Sequence, residues 1–564
     1  EALAAYRDLV GDAQGKPAPA LRRLLVPFFD LLTSDGDDGA EAAADMFLAS
    51  QLLQRPGLAQ TQAVFARELS GGSDEASQLF RKAVNVGRSV EQLRNRVALL
   101  EGQAAADPLV AERLTAQRAA LAQLETQQLA IQDSLGEYPR FRAVSDGRVT
   151  LEELQQTLRP GEGYLKLATL DGATFAIFAT SEMARAYRAG VDPEALEAEV
   201  DELRATIAYV ENGQTLTFPF DIEKSRALYK ALLEPVDGEV KALEHLVFEP
   251  DGAMLRLPAN LLVADDDSVD RYVERIAQGG DDYDFTGTNW LGRGVRITTT
   301  VSPSAFRDVR RAPSSSAVRE YIGFGENTPL TQERGTLGTR AALAGGADCL
   351  WAPSIWDYPI KADELYAASR SLGAGTAQER IVTGDTFTDT AVLGMEDLDQ
   401  YRILHFATHG LVTAPQPECP PRPALLTSFG DEQSDGLLSF AEIFDLKIDA
   451  DLVILSACDT AGEATLGATR EAGVSGGGFA LDGLVRAFVG AGGRTVVASH
   501  WPVPDDYDAT NRLIDGFFSV AAGTSLAEAM RQSQGRLMDQ SETSHPFYWS
   551  AFAIIGDGGA QLRN

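Results

Sequence analysis

The sequence predicts an α/β protein whose largely parallel sheet is flanked by helices and follows an all-helical region. Three observations support this prediction. From residue 319 onward, short apolar runs that end in small or turn residues alternate with helical patterns. Further upstream, the stretch "GYLKLATLDGATFAIFAT" alternates apolar residues around Asp-Gly, which predicts a β-hairpin. Residues 1 to about 136 lack such runs and carry apolar residues at helical spacing.

The helical region divides into two predicted parts. Residues 1–72 contain "ALRRLLVPFFDLL" and "AAADMFLASQLLQ", joined by a turn, and could be the end of a helical repeat array. Residues 73–136 are long Ala/Leu/Gln/Arg/Glu stretches interrupted near Pro108, which predicts an antiparallel helical hairpin. A structural spacer is the simpler interpretation of this hairpin, and a binding device is the alternative.

The next region, 145–315, is predicted to mix strands and helices. The β-hairpin is followed by a buried strand in "LEHLVFEPDGAMLRLP", and helical patterns cover 192–211 and 222–240. Two polar segments, 263–290 and 308–318, read as exposed loops or insertions.

In the last region, 316–564, four apolar runs predict parallel strands and "YWSAFAIIGD" predicts a final strand. The four runs are "REYIGFGE", "RILHFATHG", "DLVILSACD" and "GRTVVASHWPV". Ligand chemistry in such sheets lies beyond the carboxyl ends of the strands. His409 and Cys458 both follow directly on such a run, so we expect neighbouring strands to present them side by side.

Composition restricts the partners. The 49 Lys and Arg residues stand against 82 Asp and Glu residues, a net charge of −33, which disfavours nucleic acid and anionic membranes and favours a basic peptide partner or cleavage motif. Three cysteines give neither a metal-ligand spacing nor a disulfide framework, so we expect a reducing, cytoplasmic compartment. Because the chain begins at Glu1 rather than Met, we expect its natural beginning to be missing, which leaves an exported form open.

A cysteine beside a histidine suggests nucleophilic catalysis. Thiolate is a strong nucleophile that is scarce at neutral pH, and an imidazole can take its proton. Gly410 has no Cβ, so a substrate carbonyl could approach its N–H and that of Cys458, which together would form an oxyanion hole. Two alternatives remain: an inert core cysteine, and a metal-binding pair of His405 and His409. His405, inside the apolar run, is better interpreted as a core histidine.

These stretches resemble the CHAT domain, a caspase-like cysteine peptidase module often found behind tetratricopeptide repeats. The matching stretches include "YRILHFATHGL", "DLVILSACDTAG", "GAGGRTVVASHWPVPD" and "HPFYWSAFAIIG", and the resemblance extends from about residue 145 to 560. It is also similar, more distantly, to separases and caspases. The resemblance implies a degenerate caspase-like half (145–315) beside a catalytic half (316–564).

The resemblance also implies an activity and its residues. The chain would be a cysteine endopeptidase in which Cys458 is the nucleophile and His409 the general acid and base. Gly410 and the N–H of Cys458 would form the oxyanion hole. Neither a metal nor an organic cofactor is expected.

The substrate specificity and the partners are predicted less directly from the sequence than the catalytic residues are. The segment "WPVPDDYD" is similar to the Trp-Asp-Val-Thr-Asp of separases, which cut after arginine, so Asp505 could lie at the base of the S1 pocket. Capping of the following helix is the rival role for Asp505, although Asp508 is the better cap. Asp459 and Trp501 could also line S1. The expected partners are a protein substrate and a regulatory protein bound by the helical N-terminal region; the alternative function is a catalytically silent scaffold.

Overall fold

The structure of the 564-residue chain is a computed structural model. Apart from a few isolated positions, the structure describes residues 19–34, 39–53, 148–211, 214–330, 353–373, 379–411, 423–430, 434–456, 478–501 and 506–562. The predicted helical hairpin at 73–136 lies outside these ranges.

Two helices of the first predicted part are described, α1 (Pro19–Ser34) and α2 (Ala40–Ser50). They pack on the first strands of the sheet: the ring of Phe29 meets that of Phe175 edge-on at 5.4 Å. The helical prediction for this segment is therefore confirmed where the chain is described.

Eleven strands of the described chain form one large sheet, and five short strands form two smaller ones. The large sheet contains β1 (Glu162–Leu170), β2 (Ala173–Thr180), β3 (Ala184–Arg188), β6 (His245–Glu249), β7 (Arg296–Thr299), β8 (Arg319–Gly325), β9 (Glu379–Thr383), β10 (Tyr401–Ala407), β14 (Ala450–Ser456), β15 (Gly493–Ser499) and β16 (Phe552–Ile555). The short strands are β4 (Tyr209–Glu211), β5 (Gln214–Leu216), β11 (Gly410–Leu411), β12 (Ala424–Leu426) and β13 (Leu437–Ser439).

The strand order is β3-β2-β1-β6-β7-β16-β15-β14-β10-β8-β9. Neighbouring strands are parallel except in the pairs β3–β2, β2–β1 and β16–β15. The mostly parallel sheet predicted from the sequence is confirmed. The antiparallel pairing of β16 with β15 was not predicted, and it means that the two sides of the sheet run in opposite directions. β10, β14 and β15 are parallel neighbours, so their carboxyl ends lie side by side along one border of the sheet. We call this border the β10–β14 edge.

Helices cover both faces of the sheet. In the first half they are α3 (Leu151–Thr157), α4 (Pro193–Ile207), α5 (Ile222–Leu233), α6 (Asp237–Ala242), α7 (Asp266–Ala277), α8 (Leu291–Gly294) and α9 (Pro303–Arg311). In the second half they are α10 (Asp363–Gly373), α11 (Asp389–Leu393), α12 (Phe440–Asp445), α13 (Gly478–Ala491), α14 (Ala509–Phe518), α15 (Leu526–Met538) and α16 (Pro546–Trp549).

Side-chain alternation explains how the sheet is buried on both faces. Along β14, Leu452 and Ile454 belong to the hydrophobic core on one face, and Val453 and Leu455 belong to the core on the other. All four are essentially inaccessible to solvent. A run of consecutive apolar residues is typical of a central parallel strand, and the four residues from Leu452 to Leu455 form such a run.

Three sequence-based expectations need correction. The segment 263–290 is an exposed loop only in part, because it also forms α7, capped by the Asp265 carboxylate, and buries Phe285 and Trp290 completely. The segment 308–318 begins within α9, whose last residue is Arg311. The helical pattern over 192–211 ends at Ile207, and the chain continues into β4. High Asp content obscured the first of these, because acidic residues at the start of a helix also resemble a solvated loop.

Candidate active site

β10 and β14 lie side by side in parallel and reach the β10–β14 edge at the same level. Their register runs from Ile403 opposite Leu452 to Ala407 opposite Ser456. One residue further, the N–H of Thr408 donates to the carbonyl of Ser456 at 3.3 Å. His409 comes two residues after Ala407 in the chain, and Cys458 comes two residues after Ser456. Cys458 itself lies outside the described residues.

His409 is buried at this edge, with 8% of its surface exposed. Its Nε2 lies 2.6 Å from the carbonyl oxygen of Tyr358. Because a carbonyl can only accept, Nε2 carries the proton, and in the neutral ring Nδ1 is the basic nitrogen. Burial lowers the pKa of His409, and the hydrogen bond to Tyr358 opposes that effect. The site therefore holds an imidazole that is neutral, and able to accept a proton, at neutral pH.

The carbonyl of Tyr358 is held in place by the residues before it. These form a 3₁₀ turn, Pro353–Asp357, in which the carbonyl of Trp356 accepts from the Asn327 amide at 2.9 Å. The Trp356 indole N–H donates to the carbonyl of Thr427 at 3.0 Å, and its ring lies 5.2 Å from that of Phe429. The turn thus fixes the orientation of His409 through a buried tryptophan.

The backbone around His409 is fixed from the other side by β12. The Leu426 N–H donates to the carbonyl of His409 at 2.9 Å, and the Thr408 hydroxyl donates to the carbonyl of Leu426 at 2.6 Å. Gly410 is paired with Leu425 in this antiparallel ladder. Because the ladder bond is made by the carbonyl of the preceding residue, Gly410 occupies a non-hydrogen-bonded position and its N–H is directed away from β12. That direction suits an oxyanion donor.

His405 lies in the core below the edge and is completely inaccessible to solvent. Its Nδ1 lies 3.0 Å from the Tyr321 hydroxyl and its Nε2 lies 3.4 Å from the Ser456 hydroxyl. The carboxylate of Glu364, on α10, is 3.6 Å from the same Nε2. The interpretation of His405 as a core histidine is confirmed. Among the described residues there is also no group of three or more His, Cys, Asp and Glu side chains arranged to hold a metal ion.

The residues predicted to line the S1 pocket are only partly described. Asp459 and Asp505 lie outside the described residues. Trp501 is buried, and its indole N–H donates to the carbonyl of Phe547 at 3.1 Å. Asp508 occupies the cap position of α14, but no hydrogen bond joins its carboxylate to the helix backbone; it accepts from the Asn511 amide at 2.5 Å instead.

His500, directly after β15, contributes its backbone to this edge. Its N–H donates to the carbonyl of Ala551 at 2.8 Å, and its carbonyl accepts from the Arg204 guanidinium. Burial, together with the charge of Arg204, lowers the pKa of His500 to about 3. The ring is therefore neutral across the physiological range.

The sequence did not reveal two residues that act on the candidate histidines. A helical pattern begins at Ala362, but nothing in the sequence indicated that the Tyr358 carbonyl would contact His409 or that Glu364 would lie beside His405. A backbone acceptor has no side-chain signature. Glu364, by contrast, could have been noticed as an acidic residue on the apolar side of α10.

The fold and the candidate site together define the class of protein. It is a mixed α/β protein with a mostly parallel, helix-covered sheet, and the candidate site lies at the carboxyl ends of adjacent strands. A family model described as the CHAT domain matches residues 223–557, more than half of the chain. The chain therefore belongs to the CHAT-domain family, as the motifs predicted.

Relatives and a solved structure are similar to parts of the chain. Tetratricopeptide repeat protein 28 of Homo sapiens is 29% identical over 242 residues, covering 37% of this chain and 9% of that protein. The Mus musculus protein of the same name is 29% identical over 380 residues, covering 59% of this chain and 13% of that protein. The chain thus spans only a small part of these curated relatives.

A separase in complex with securin from Saccharomyces cerevisiae covers 98% of this chain and 48% of its own, at 9% identity and a TM-score of 0.37. No helix in the described ranges is both long enough and apolar enough to cross a membrane.

Proposed function

We propose that the chain is a cysteine endopeptidase with a dyad of Cys458 and His409. The observation that carries the proposal is the register of β10 and β14, because Ala407 is paired with Ser456 and each candidate residue follows two positions later. Because the two strands are adjacent, parallel and end at the same level, the segments that follow them lie at the same edge of the sheet. Membership of the CHAT family supports the same assignment.

The geometry of His409 supports a defined proton path. Nδ1 takes the thiol proton of Cys458, and the thiolate attacks the carbonyl carbon of the scissile peptide bond. The Gly410 and Cys458 N–H groups donate to the resulting oxyanion. On collapse, the imidazolium returns the proton to the leaving amine, which leaves an acyl-enzyme. Water activated by the neutral His409 then hydrolyses the thioester, releases the acid product and restores the thiol.

The lowered pKa of His409 and its bond to the Tyr358 carbonyl fit this role. A histidine that is neutral at neutral pH can accept a proton without first losing one. The carbonyl also stabilises the imidazolium that forms when the proton arrives, because it accepts a stronger hydrogen bond from a charged donor.

We further propose a basic residue at P1, recognised by Asp505 with Asp459 and Trp501 near the pocket. A carboxylate at the base of the pocket would accept two parallel hydrogen bonds from a guanidinium. The net charge of −33 would attract a basic substrate. The helical N-terminal region is proposed to hold the protein substrate or a regulatory protein. No cofactor is required by this mechanism.

A peptide-library cleavage assay with the full chain tests the function. Cys458→Ala is expected to abolish cleavage, whereas the matched variants Cys349→Ala and Cys419→Ala keep it. Cleavage that survives Cys458→Ala would disprove the dyad. The alternative, a catalytically silent scaffold, predicts that a peptide chloromethyl ketone fails to label Cys458 in the folded chain. The P1 profile tests the specificity proposal separately, because loss of an arginine preference in Asp505→Asn is expected only if Asp505 lines S1.

A further inference from the structure

Five aromatic side chains form a surface that the proposed function does not use, and we call it the aromatic patch. Its members come from four separate segments of the chain: Tyr209, Phe218, Tyr283, Tyr507 and Tyr548. The first four are 45%, 46%, 37% and 58% exposed, respectively, and Tyr548 is half-buried. Exposed aromatic side chains in one cluster are typical of protein interaction surfaces.

Contacts join the first three members. The rings of Tyr209 and Phe218 meet edge-on at 6.1 Å, and the Tyr283 hydroxyl donates to the carbonyl of Thr217 at 3.0 Å. Buried His545 connects them: its Nε2 donates to the carbonyl of Phe218 at 2.9 Å, and its ring lies 5.8 Å from that of Tyr283.

The remaining two members continue the surface. Tyr507 meets Tyr548 edge-on at 5.6 Å. The Tyr548 N–H donates to the carbonyl of His545 at 3.1 Å, and the His545 ring lies 5.8 Å from that of Tyr283, so the two parts of the patch meet at His545. The patch is therefore continuous between the first and second halves of the chain.

The aromatic patch lies at the same edge of the sheet as His409. The segment that carries Tyr548 is tied to the residues directly after β15, because His500 bonds to Ala551 and the Trp501 indole bonds to the carbonyl of Phe547. β15 and β14 are parallel and end side by side. Tyr548 therefore lies on the β15 side of the candidate site.

The sequence Asp-Asp-Tyr-Asp occurs twice in the chain, at 281–284 and 505–508, and its tyrosines, Tyr283 and Tyr507, both belong to the patch. Asp281, Asp282, Asp506 and Asp508 are exposed. Arg275 lies 3.6 Å from Asp284, the carboxylate that ends the first segment.

On the side of the second segment, Arg512 donates to the carbonyl of Tyr507 and to the side chain of Gln540. The described residues of the two segments thus carry five carboxylates, whereas two guanidinium groups, those of Arg275 and Arg512, lie beside them. The surface around the rings is negative.

The backbone under Tyr507 is also unusual. Tyr507 and Asp508 both have a left-handed conformation, with φ of +56° and +55°, which side chains other than glycine rarely adopt. Asp508 accepts from the Asn511 amide at 2.5 Å, which helps to hold this turn. Strain of this kind persists mainly where it positions a functional group, and here it exposes an aromatic ring.

We propose that the aromatic patch and its aspartates form a docking surface for an arginine-rich, extended segment of a partner polypeptide. Guanidinium groups stack on tyrosine and phenylalanine rings and pair with carboxylates, so one cation satisfies both features of the surface. A second copy of this chain would bring like charges together, and nucleic acid would be repelled. Binding does not depend on the proposed peptidase activity; only the further step, in which the docked chain is the one that is cut, rests on it.

The test measures peptide binding by the full chain carrying Cys458→Ala, which cannot turn the probe over. The probe is a fluorescein-labelled peptide of twelve residues with four arginines separated by Gly and Ser, and its control has citrulline in place of every arginine. Only the arginine peptide is expected to bind, and its affinity is expected to fall as salt is added.

Two variants remove the two features of the surface separately. Phe218→Ser with Tyr507→Ser, and Asp281→Asn with Asp282→Asn, are each expected to weaken binding about tenfold. Matched controls change an exposed tyrosine and two exposed acids elsewhere, Tyr366→Ser and the pair Glu396→Gln with Asp399→Asn, and are expected to leave affinity unchanged. Thermal unfolding of each variant confirms that it is folded.

Three results would overturn the proposal: no binding of the arginine peptide, equal binding of the citrulline peptide, or equal losses in the patch variants and the control variants. Sedimentation of the chain as a dimer that dissociates in the Asp281→Asn, Asp282→Asn variant would also overturn it, because the occupant would then be a second copy. Cleavage assays on the unsubstituted chain judge the peptidase proposal independently of all these outcomes.

Discussion

The Nε2 atom of His405 lies 3.6 Å from the Oε1 atom of Glu364, and both side chains are buried beneath the β10–β14 edge. Within the described part of the chain, neither carboxyl oxygen of Glu364 has a hydrogen bond. The imidazole is therefore a close polar neighbour of a buried carboxyl that makes no hydrogen bond to the described residues. Because the same Nε2 is 3.4 Å from the Ser456 hydroxyl, the pair also contacts the last residue of β14.

The first prediction concerns this pair. His405→Leu is expected to lower the free energy of unfolding by about 3 kcal/mol, because it leaves the Tyr321 hydroxyl and the Glu364 carboxyl buried without the imidazole beside them. Adding Glu364→Leu is expected to recover part of that loss, since the buried carboxyl is then removed. Urea denaturation of the single and double variants measures the coupling. If the losses of unfolding free energy in the two single variants add up to the loss in the double variant, the two side chains do not interact.

The second prediction concerns stability in acid. His545 is buried, donates from Nε2 to Phe218 and accepts at Nδ1 from the Phe547 N–H, so protonation would break the latter bond. Burial lowers its pKa to about 4, with the Phe218 bond opposing. In the unfolded chain the pKa is about 6.5. Between these values only the unfolded state takes up the proton, so the free energy of unfolding falls as the pH drops, by about 3 kcal/mol in total.

His545→Asn tests this linkage because the amide can accept from Phe547 but does not titrate. Between pH 7 and pH 4, the free energy of unfolding of the variant is expected to fall by about 3 kcal/mol less than that of the unsubstituted chain. Urea denaturation at the two pH values measures this difference. His500, whose pKa is lowered to about 3, contributes to the acid loss of both proteins and cancels in the comparison. An equal loss in both proteins would mean that His545 is not the titrating group.

The third prediction separates the Tyr358 carbonyl from the Tyr358 side chain. Trp356→Phe removes the indole bond to Thr427 and is expected to reduce kcat about tenfold, because the carbonyl that orients His409 is then less well fixed. Tyr358→Ala keeps the carbonyl and removes only a side chain that is 76% exposed, so it is expected to change kcat little. Equal losses in the two variants would mean that the fixed carbonyl has no separate part in the effect.

The sequence predicted those parts of the fold that depend on apolar patterning. The central positions of β10 and β14 are mostly apolar and buried because both faces of the sheet are covered, and this pattern identified the two strands and His405 as a core residue. The same apolar pattern predicted that His409 lies at the carboxyl end of a strand. Each of these follows from local sequence, where burial leaves a direct signature.

Features that depend on distant pairing were not predictable in the same way. The reversal of direction at β16 follows from which strand it joins, and an apolar run looks the same in either orientation. The Tyr358 carbonyl reaches His409 across 51 positions of the chain through a backbone atom. The aromatic patch needed coordinates as well, because the two Asp-Asp-Tyr-Asp segments are far apart in sequence.

The last prediction tests the oxyanion role of Gly410. Gly410→Pro removes the N–H that is directed away from β12, while the ladder bond between the His409 carbonyl and Leu426 remains. Peptide cleavage is expected to fall by about 10²- to 10³-fold, the usual effect of losing one oxyanion donor.

Alkylation of Cys458 by iodoacetamide forms no oxyanion, so its rate in Gly410→Pro is expected to stay close to that of the unsubstituted chain. Gly410→Ala retains the N–H and is expected to lose far less cleavage than Gly410→Pro, which distinguishes the donor from the shape of the residue. If cleavage and alkylation fell together, the substitution would have displaced the site as a whole, and the N–H of Gly410 would have no separate part in catalysis.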